Sequence, residues 1–197
     1  MRRPARAAIV GILLLLPGGF LLARAGWVHA KGAVGEVLIG RALDATLEDG
    51  VPRKPWSWAD MVPVARLDVP RLGVSRPILS NASGSALAFG LGRVSGTGLS
   101  IVAGHRDSWA AFLEDVKVGD ELTVTSHERQ VRYHVVGAEI VRYDTALRGD
   151  GLSLVTCWPF DGLLHSPWRY VVHCEPEGTA SETRTAEFRK LSPLTSR

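Results

Sequence analysis

Leu152-Ser153-Leu154-Val155-Thr156-Cys157-Trp158-Pro159 is a short apolar run that ends in a cysteine and is closed two residues later by a proline. A run of this kind reads as a β-strand, and proline, which has no N–H to give a ladder, stops it. Cys157 therefore stands at a strand end, facing the loop from Trp158 to Trp168. Beyond that loop, Arg169-Tyr170-Val171-Val172-His173-Cys174 is a second run of strand-forming residues. Pairing the two runs antiparallel places Arg169 opposite or near Cys157. Taken singly, a free cysteine is most often a small buried hydrophobe, and an arginine on a strand is most often solvated.

The same pairing bears on the second cysteine. Cys174 lies five residues beyond Arg169 (174 − 169). At about 3.3 Å per residue it is roughly 16 Å along the strand from Cys157. A disulfide needs Cα atoms within about 7 Å, so Cys157 is expected to stay a free thiol. Neither cysteine belongs to a C-x-x-C pair, which removes zinc-ribbon and thioredoxin-like motifs.

Upstream, Ser100-Ile101-Val102-Ala103-Gly104-His105-Arg106-Asp107 is another apolar strand that ends abruptly, here at a glycine followed by a histidine. Glycine at that place permits a sharp turn or the close approach of another chain. A loop histidine alone is usually a surface residue. A cysteine and a histidine at two strand tips, however, are what a thiol nucleophile and its proton carrier require.

The surrounding chain alternates short β-like runs with Gly, Pro, Asn and Asp: Ala65–Val69, Val74–Leu79, Leu99–Ala103, Glu121–Thr125 and Val131–Ile140 join the two above. Their spacing argues a single mostly-β barrel or sandwich over residues 60–175. Asp107–Glu114 reads as a short helix capped by an acidic residue or Ser108. Residues 26–59 read as a stalk and linker. An amphipathic helix is expected over Val28–Leu47, with Val34, Val37, Leu38, Arg41 and Ala42 at three- and four-residue steps. After it comes the extended stretch VPRKPWSWA from Val51 to Ala59, expected to pack onto something. Residues 176–197, rich in Ser, Thr, Glu and Arg, read as a disordered tail.

Residues 1–25 read as an address. Arg2, Arg3 and Arg6 precede the uncharged run Ala7–Ala23, whose length of roughly 25 Å is at the short limit for a bilayer core of about 30 Å. Positive charge before such a run holds that end in the cytoplasm and sends the rest outward. Ala23-Arg24-Ala25 fits a signal-peptide cleavage site, and Pro17-Gly18-Gly19 weakens a continuous helix. Arg24 and Trp27 suit a retained anchor, the favoured reading. Either way the body of the protein lies outside the cytoplasm.

Of the 197 residues, 46% are hydrophobic and 22% charged, enough to bury an ordinary core. The net charge of +3 is concentrated in the first six residues, and no basic block with interleaved aromatics follows, so nucleic acid is not an expected partner. His105 and Cys157 have no further ligands at metal-binding spacing, and no acidic cluster suggests calcium. No metal and no cofactor are expected. His127 and His134 read as part of a polar hairpin, His173 as a strand residue away from the tips, and His165 as a loop residue.

The motifs together resemble the sortase family, over roughly residues 26–174. Ser153-Leu154-Val155-Thr156-Cys157 is similar to that family's TLxTC motif, in which the cysteine is the nucleophile. Lys54–Asp60 (KPWSWAD), Ala103–Asp107 (AGHRD), Cys157–Asp161 (CWPFD) and Arg169–Val172 (RYVV) resemble its Gram-negative (proteobacterial) branch. Ser153 for threonine and Trp158 for the more usual tyrosine are departures that touch no catalytic group. The resemblance implies a closed barrel of about eight strands with short helices, preceded by a membrane helix. It implies Cys157, His105 and Arg169 as catalytic residues. Thr156 and Trp158 are candidates to contact substrate or assist the oxyanion. Asp107 either orients the imidazole or, the favoured reading, caps the helix after it. It also implies a transpeptidase at the inner membrane with its catalytic domain in the periplasm. Its partners would be one dedicated target protein bearing an LPxTG-like sorting signal and an amine acceptor. An exported cysteine hydrolase and a non-catalytic peptide-binding scaffold of the envelope are the competing readings.

Overall fold

Alternation of buried and half-buried residues along Pro63–Val69 sets the first wall of a barrel: Pro63, Ala65, Leu67 and Val69 are buried and the residues between them half-buried. The computed structural model describes residues 3–97, 100–147, 151–162 and 166–177, without the side chains of 3–17, 25, 28 and 29. The strands are β1 (Pro63–Val69), β2 (Val74–Leu79), β3 (Leu91–Arg93), β4 (Ile101–Ala103), β5 (Glu121–Ser126), β6 (Gln130–Arg142), β7 (Leu152–Cys157) and β8 (Trp168–Pro176). They close into a barrel in the order β1-β2-β3-β4-β7-β8-β6-β5. Pairs β2/β3 and β4/β7 are parallel and the rest antiparallel. Closure removes the free edges that an open sheet of this size would expose. Leu67, Ile78, Val102, Leu122, Leu154 and Val172 are among the side chains filling the interior.

The strand expected over Leu99–Ala103 is Ile101–Ala103, and β3 was not anticipated at all. Leu91-Gly92-Arg93 is too short to show a period of two. Its glycine is required by close approach, since a Cβ on Gly92 would lie 2.6 Å from the Asn81 carbonyl oxygen. The helix expected over Asp107–Glu114 is reduced to a 3-10 turn at Ala111–Glu114, begun at Ala110 with no side-chain cap. Residues before it are held by backbone turns instead, Ser108 and Ala110 both donating to the His105 carbonyl at 3.3 and 2.9 Å.

The chain divides into two units, Met1–Leu38 and Ile39–Arg197. One helix, α1 (Arg3–Asp49), runs through the first and ends in the second. It passes Pro17-Gly18-Gly19 unbroken, because a proline removes one i→i−4 bond while those on either side persist. Among the described residues no helix is long and apolar enough to cross a membrane. The run Ala7–Ala23, read above as an anchor, falls largely on residues whose side chains lie outside the description.

In the second unit the buried stripe of α1 is Ile39, Ala42, Leu43 and Thr46. Of the residues expected on the stripe, Ala42 is buried and Leu38 half-buried, while Val34, Val37 and Arg41 are exposed. Ile39, Ala59, Met61, Leu79 and Ala86 form a second small core. Trp56, from the stretch between helix and barrel, joins it edge-on to Phe89, with ring centroids 5.1 Å apart. Trp58 is 82% exposed. Residues 178–197, read as a tail, lie outside the described ones.

Candidate active site

Three adjacent strands bring the candidate side chains to one rim. In the β7/β8 ladder Cys157 is paired directly with Arg169, a spacing of about 4.5–5.5 Å between Cα atoms. On the other side β4 runs parallel to β7, with Ala103 beside Val155. The two chains stay together past the end of β4: the Gly104 N–H donates to the Val155 carbonyl at 3.0 Å. His105 lies two residues beyond Ala103 and Cys157 two beyond Val155. The order across the rim is therefore His105, Cys157, Arg169, with the thiol in the middle.

Strand alternation decides which face the thiol is on. Leu152, Leu154 and Thr156 are buried, whereas Val155 and Cys157 are partly exposed. On β8 Val172 and Cys174 join the core and Arg169 does not. Cys157 and Arg169 thus share the face of the wall turned from the barrel core, which is covered at Ser153 and Val171 and part-exposed at its end. Both cysteines are free thiols. Cys174 is opposite Leu152, in the core, where burial pushes its thiol up to about 12.

The hydroxyl of Thr156 donates to the Gly104 carbonyl at 2.8 Å and the residue is 2% exposed. Contact between this side chain and substrate, an expectation above, does not fit that burial. It ties the turn that presents His105 to the strand that presents Cys157. Gly104 allows this closeness, since a Cβ there would sit 2.6 Å from Leu91 Cδ2. Arg169 is anchored by Nη1, which donates to the carbonyls of Ser166 and Trp168, each at 2.9 Å. Its Nε and Nη2 donors have no protein partner among the described residues, which leaves that edge of the fork free to donate to an anionic oxygen.

Asp107 neither caps a helix nor hydrogen-bonds the imidazole among the described residues. Its exposed carboxylate accepts from Arg106 Nε at 3.1 Å. Arg106 itself is a site residue the sequence reading missed. Its side chain is 11% exposed and donates to the carbonyl of Pro159 at 2.6 Å and to that of Gly162. It clasps the loop after Cys157 to the loop after β4. Gly162 lies so close that a Cβ would be 2.8 Å from Arg106 Nη1. The nearest clue in sequence is adjacency to His105, because both acceptors are backbone atoms more than fifty positions away.

Trp158 turns from the thiol side into an aromatic group. It stacks on Tyr170 at 5.8 Å and meets Phe160 edge-on at 5.7 Å. The other histidines lie elsewhere. His173 pairs with Glu139 at 2.9 Å and with the Ser153 hydroxyl at 3.3 Å. His127 contacts the Leu47 carbonyl at 3.1 Å. His134 is in β6 of the β5/β6 hairpin, paired with Glu121. His165 lies outside the described residues. Among the described residues no group of three His, Cys, Asp or Glu side chains could hold a metal.

In sequence and in fold the chain is similar to known proteins. The Sortase domain family model matches residues 67–177. Sortase D of Bacillus subtilis (strain 168) is 25% identical over 119 residues, 54% of this chain and 60% of that protein. The chain thus spans about 60% of the length of the curated relative it matches. Among solved structures, sortase C-1 from Actinomyces oris is 28% identical with a TM-score of 0.50, covering 58% of this chain and 73% of that one. The Clostridium perfringens sortase D5 transpeptidase, 15% identical, superposes with a TM-score of 0.57 over 74% of this chain and 99% of its own. Sortase A from Corynebacterium diphtheriae, 21% identical, gives 0.55 over 65% and 66%. The last two show the shared fold.

Proposed function

The chain belongs to the sortase family, and on that premise we propose that it is a cysteine transpeptidase acting on a C-terminal LPxTG-like sorting signal. The observation that carries the reading is the direct pairing of Cys157 with Arg169 beside the tethered His105 turn.

In this mechanism the Cys157 thiolate attacks the carbonyl of the threonine-like residue. The oxyanion that forms accepts hydrogen bonds from the free edge of Arg169, a contribution of about 2.7–4 kcal/mol per donor at such sites. His105 as imidazolium gives its proton to the departing amine, leaving a thioacyl group on Cys157. An incoming amine then gives a proton to the imidazole and attacks the thioester. The acyl group passes to nitrogen and Cys157 is released. Trp158 and Asp107 border this path without touching the reacting atoms.

The quoted motifs support a place in the Gram-negative branch. The arginines before the apolar run support a single-pass inner-membrane protein with its catalytic unit in the periplasm. One dedicated target protein and an amine acceptor in the envelope are its partners, with no nucleic acid and no cofactor.

The test is partition of product. Incubated with sorting-signal peptides and rising amine, the full chain is expected to yield a peptide–amine conjugate that grows at the expense of hydrolysed peptide. Hydrolysed product alone at every amine concentration would make it a hydrolase. Peptide binding with neither product would make it a scaffold.

A further inference from the structure

Glu139 of β6 lies directly opposite Val171 of β8, and His173 and Arg169 stand two residues to either side of that valine. Residues two apart on a strand share a face. Glu139, His173 and Arg169 are therefore on the face that carries Cys157, which is paired with Arg169. In an antiparallel pair a long side chain reaches its diagonal neighbours, about 7–8 Å away, as well as the residue opposite. Val171 offers a carboxylate no donor. Glu139 thus has two donors within reach along β8, and one of them is the catalytic arginine.

The contact it makes is with His173, Nε2 to Oε1 at 2.9 Å. A carboxylate only accepts, so Nε2 is the donor in either protonation state of the ring. The other ring nitrogen, Nδ1, is 3.3 Å from the Ser153 hydroxyl on β7, which braces the imidazole from a third strand. Other carboxylates near this end of β6 and β8 have their own partners: Glu175 faces His134 at 3.9 Å and Asp144 accepts from Arg142 at 3.3 Å. Arg169 keeps Nε and Nη2 without a protein partner among the described residues, and that edge is the one onto which a carboxylate forks.

We propose that His173 is a positioning residue for the reaction: braced by Ser153, it holds the Glu139 carboxylate off Arg169 and keeps that guanidinium open for the oxyanion. The assignment rests on the transpeptidase reading, in which Arg169 donates to the oxyanion. Without His173, Glu139 turns along the ladder and occupies Nε and Nη2, the donors that the oxyanion needs. The chain carries its own competitor on the reactive face, and a histidine restrains it.

The experiment measures kcat/KM for a sorting-signal peptide with the full chain and three variants: His173→Val, Glu139→Gln and the two combined. His173→Val, which suits a strand, is expected to lose about fivefold, the occupancy that an exposed arginine–carboxylate pair can sustain. Glu139→Gln is expected to stay at the wild-type value, and the combined variant to return to it. Raising salt from about 0.1 M to about 1 M shortens the screening length from about 10 Å to about 3 Å, and is expected to close the gap between His173→Val and the combined variant. A merely structural role gives the opposite pattern: the combined variant stays as low as His173→Val, and salt leaves both in place. That pattern, or wild-type activity in His173→Val, overturns the positioning role and leaves the transpeptidase standing. Should His173→Val not fold, His173→Thr replaces it in every comparison. If the full chain processes no peptide, the transpeptidase reading fails and the contact is read directly by NMR. The Arg169 Nε–H signal is then expected to shift in His173→Val and to return in the combined variant. No movement overturns the restraint.

Discussion

Cys157 and Cys174 sit on the same antiparallel pair of strands, one opposite Arg169 and the other opposite Leu152, and they live in opposite worlds. Cys174 is 3% exposed among the core side chains, with its thiol pushed up to about 12 by burial alone. Cys157 is on the outer face at the strand's last position, between the turn that carries His105 and the guanidinium of Arg169. Cysteine chemistry follows environment more than residue type. Here strand phase and a proline stop decide which sulfur can react.

The largest expected effect comes from exchanging the two. Cys157→Ala should remove peptide cleavage altogether, while Cys174→Ala should keep most of it and cost about 1 kcal/mol of stability, read by urea denaturation. Loss of cleavage in Cys174→Ala at intact folding would break the contrast.

Next is the partner across the ladder. Arg169→Lys keeps the charge but loses the planar fork, and kcat/KM should fall about 10²–10³-fold. A change within about threefold would mean that charge alone suffices.

Smaller again is the clasp. Arg106→Gln frees the loop after Cys157, and kcat should fall about tenfold with peptide KM little changed, because Arg106 is spent on Asp107 and two backbone carbonyls and its loss disturbs the mutual placement of thiol and imidazole. An equal rise in KM would make Arg106 a binding residue.

Last is an alkaline signature of the silent cysteine. Its folded pKa is raised to about 12 from 9.0, so between those values the folded state holds a proton that the unfolded state has lost. Stability from this group is full below about pH 9 and declines as pH rises toward 12, by about 1 kcal/mol per unit. Denaturation midpoints of wild type should drop over that window more steeply than those of Cys174→Ala. Parallel curves would contradict the burial.

Much of this contrast is legible in the chain. The bounds of β2 and β7 follow from residue patterns and from the Gly and Pro residues that end them. The five-residue offset that forbids a disulfide follows from the hairpin register. Other parts depend on contacts that no local pattern encodes. The parallel pairing of β4 with β7, which levels His105 with Cys157, joins segments about fifty residues apart. Arg106 binds backbone carbonyls at a similar remove, and carbonyls carry no side-chain identity to read. Asp107 drew attention by proximity to His105, but the chain turns and gives it to Arg106. On α1 the expected stripe met the buried one at Ala42 and missed Ile39 and Leu43, which packing and not periodicity selects over Val34 and Val37.

The central claim is tested most directly by intact-mass and peptide-mapping spectrometry of the full chain quenched during turnover of a sorting-signal peptide. An acyl adduct on Cys157, absent from Cys157→Ala and never on Cys174, is the predicted result. An adduct on Cys174, or cleavage that persists in Cys157→Ala, would contradict it.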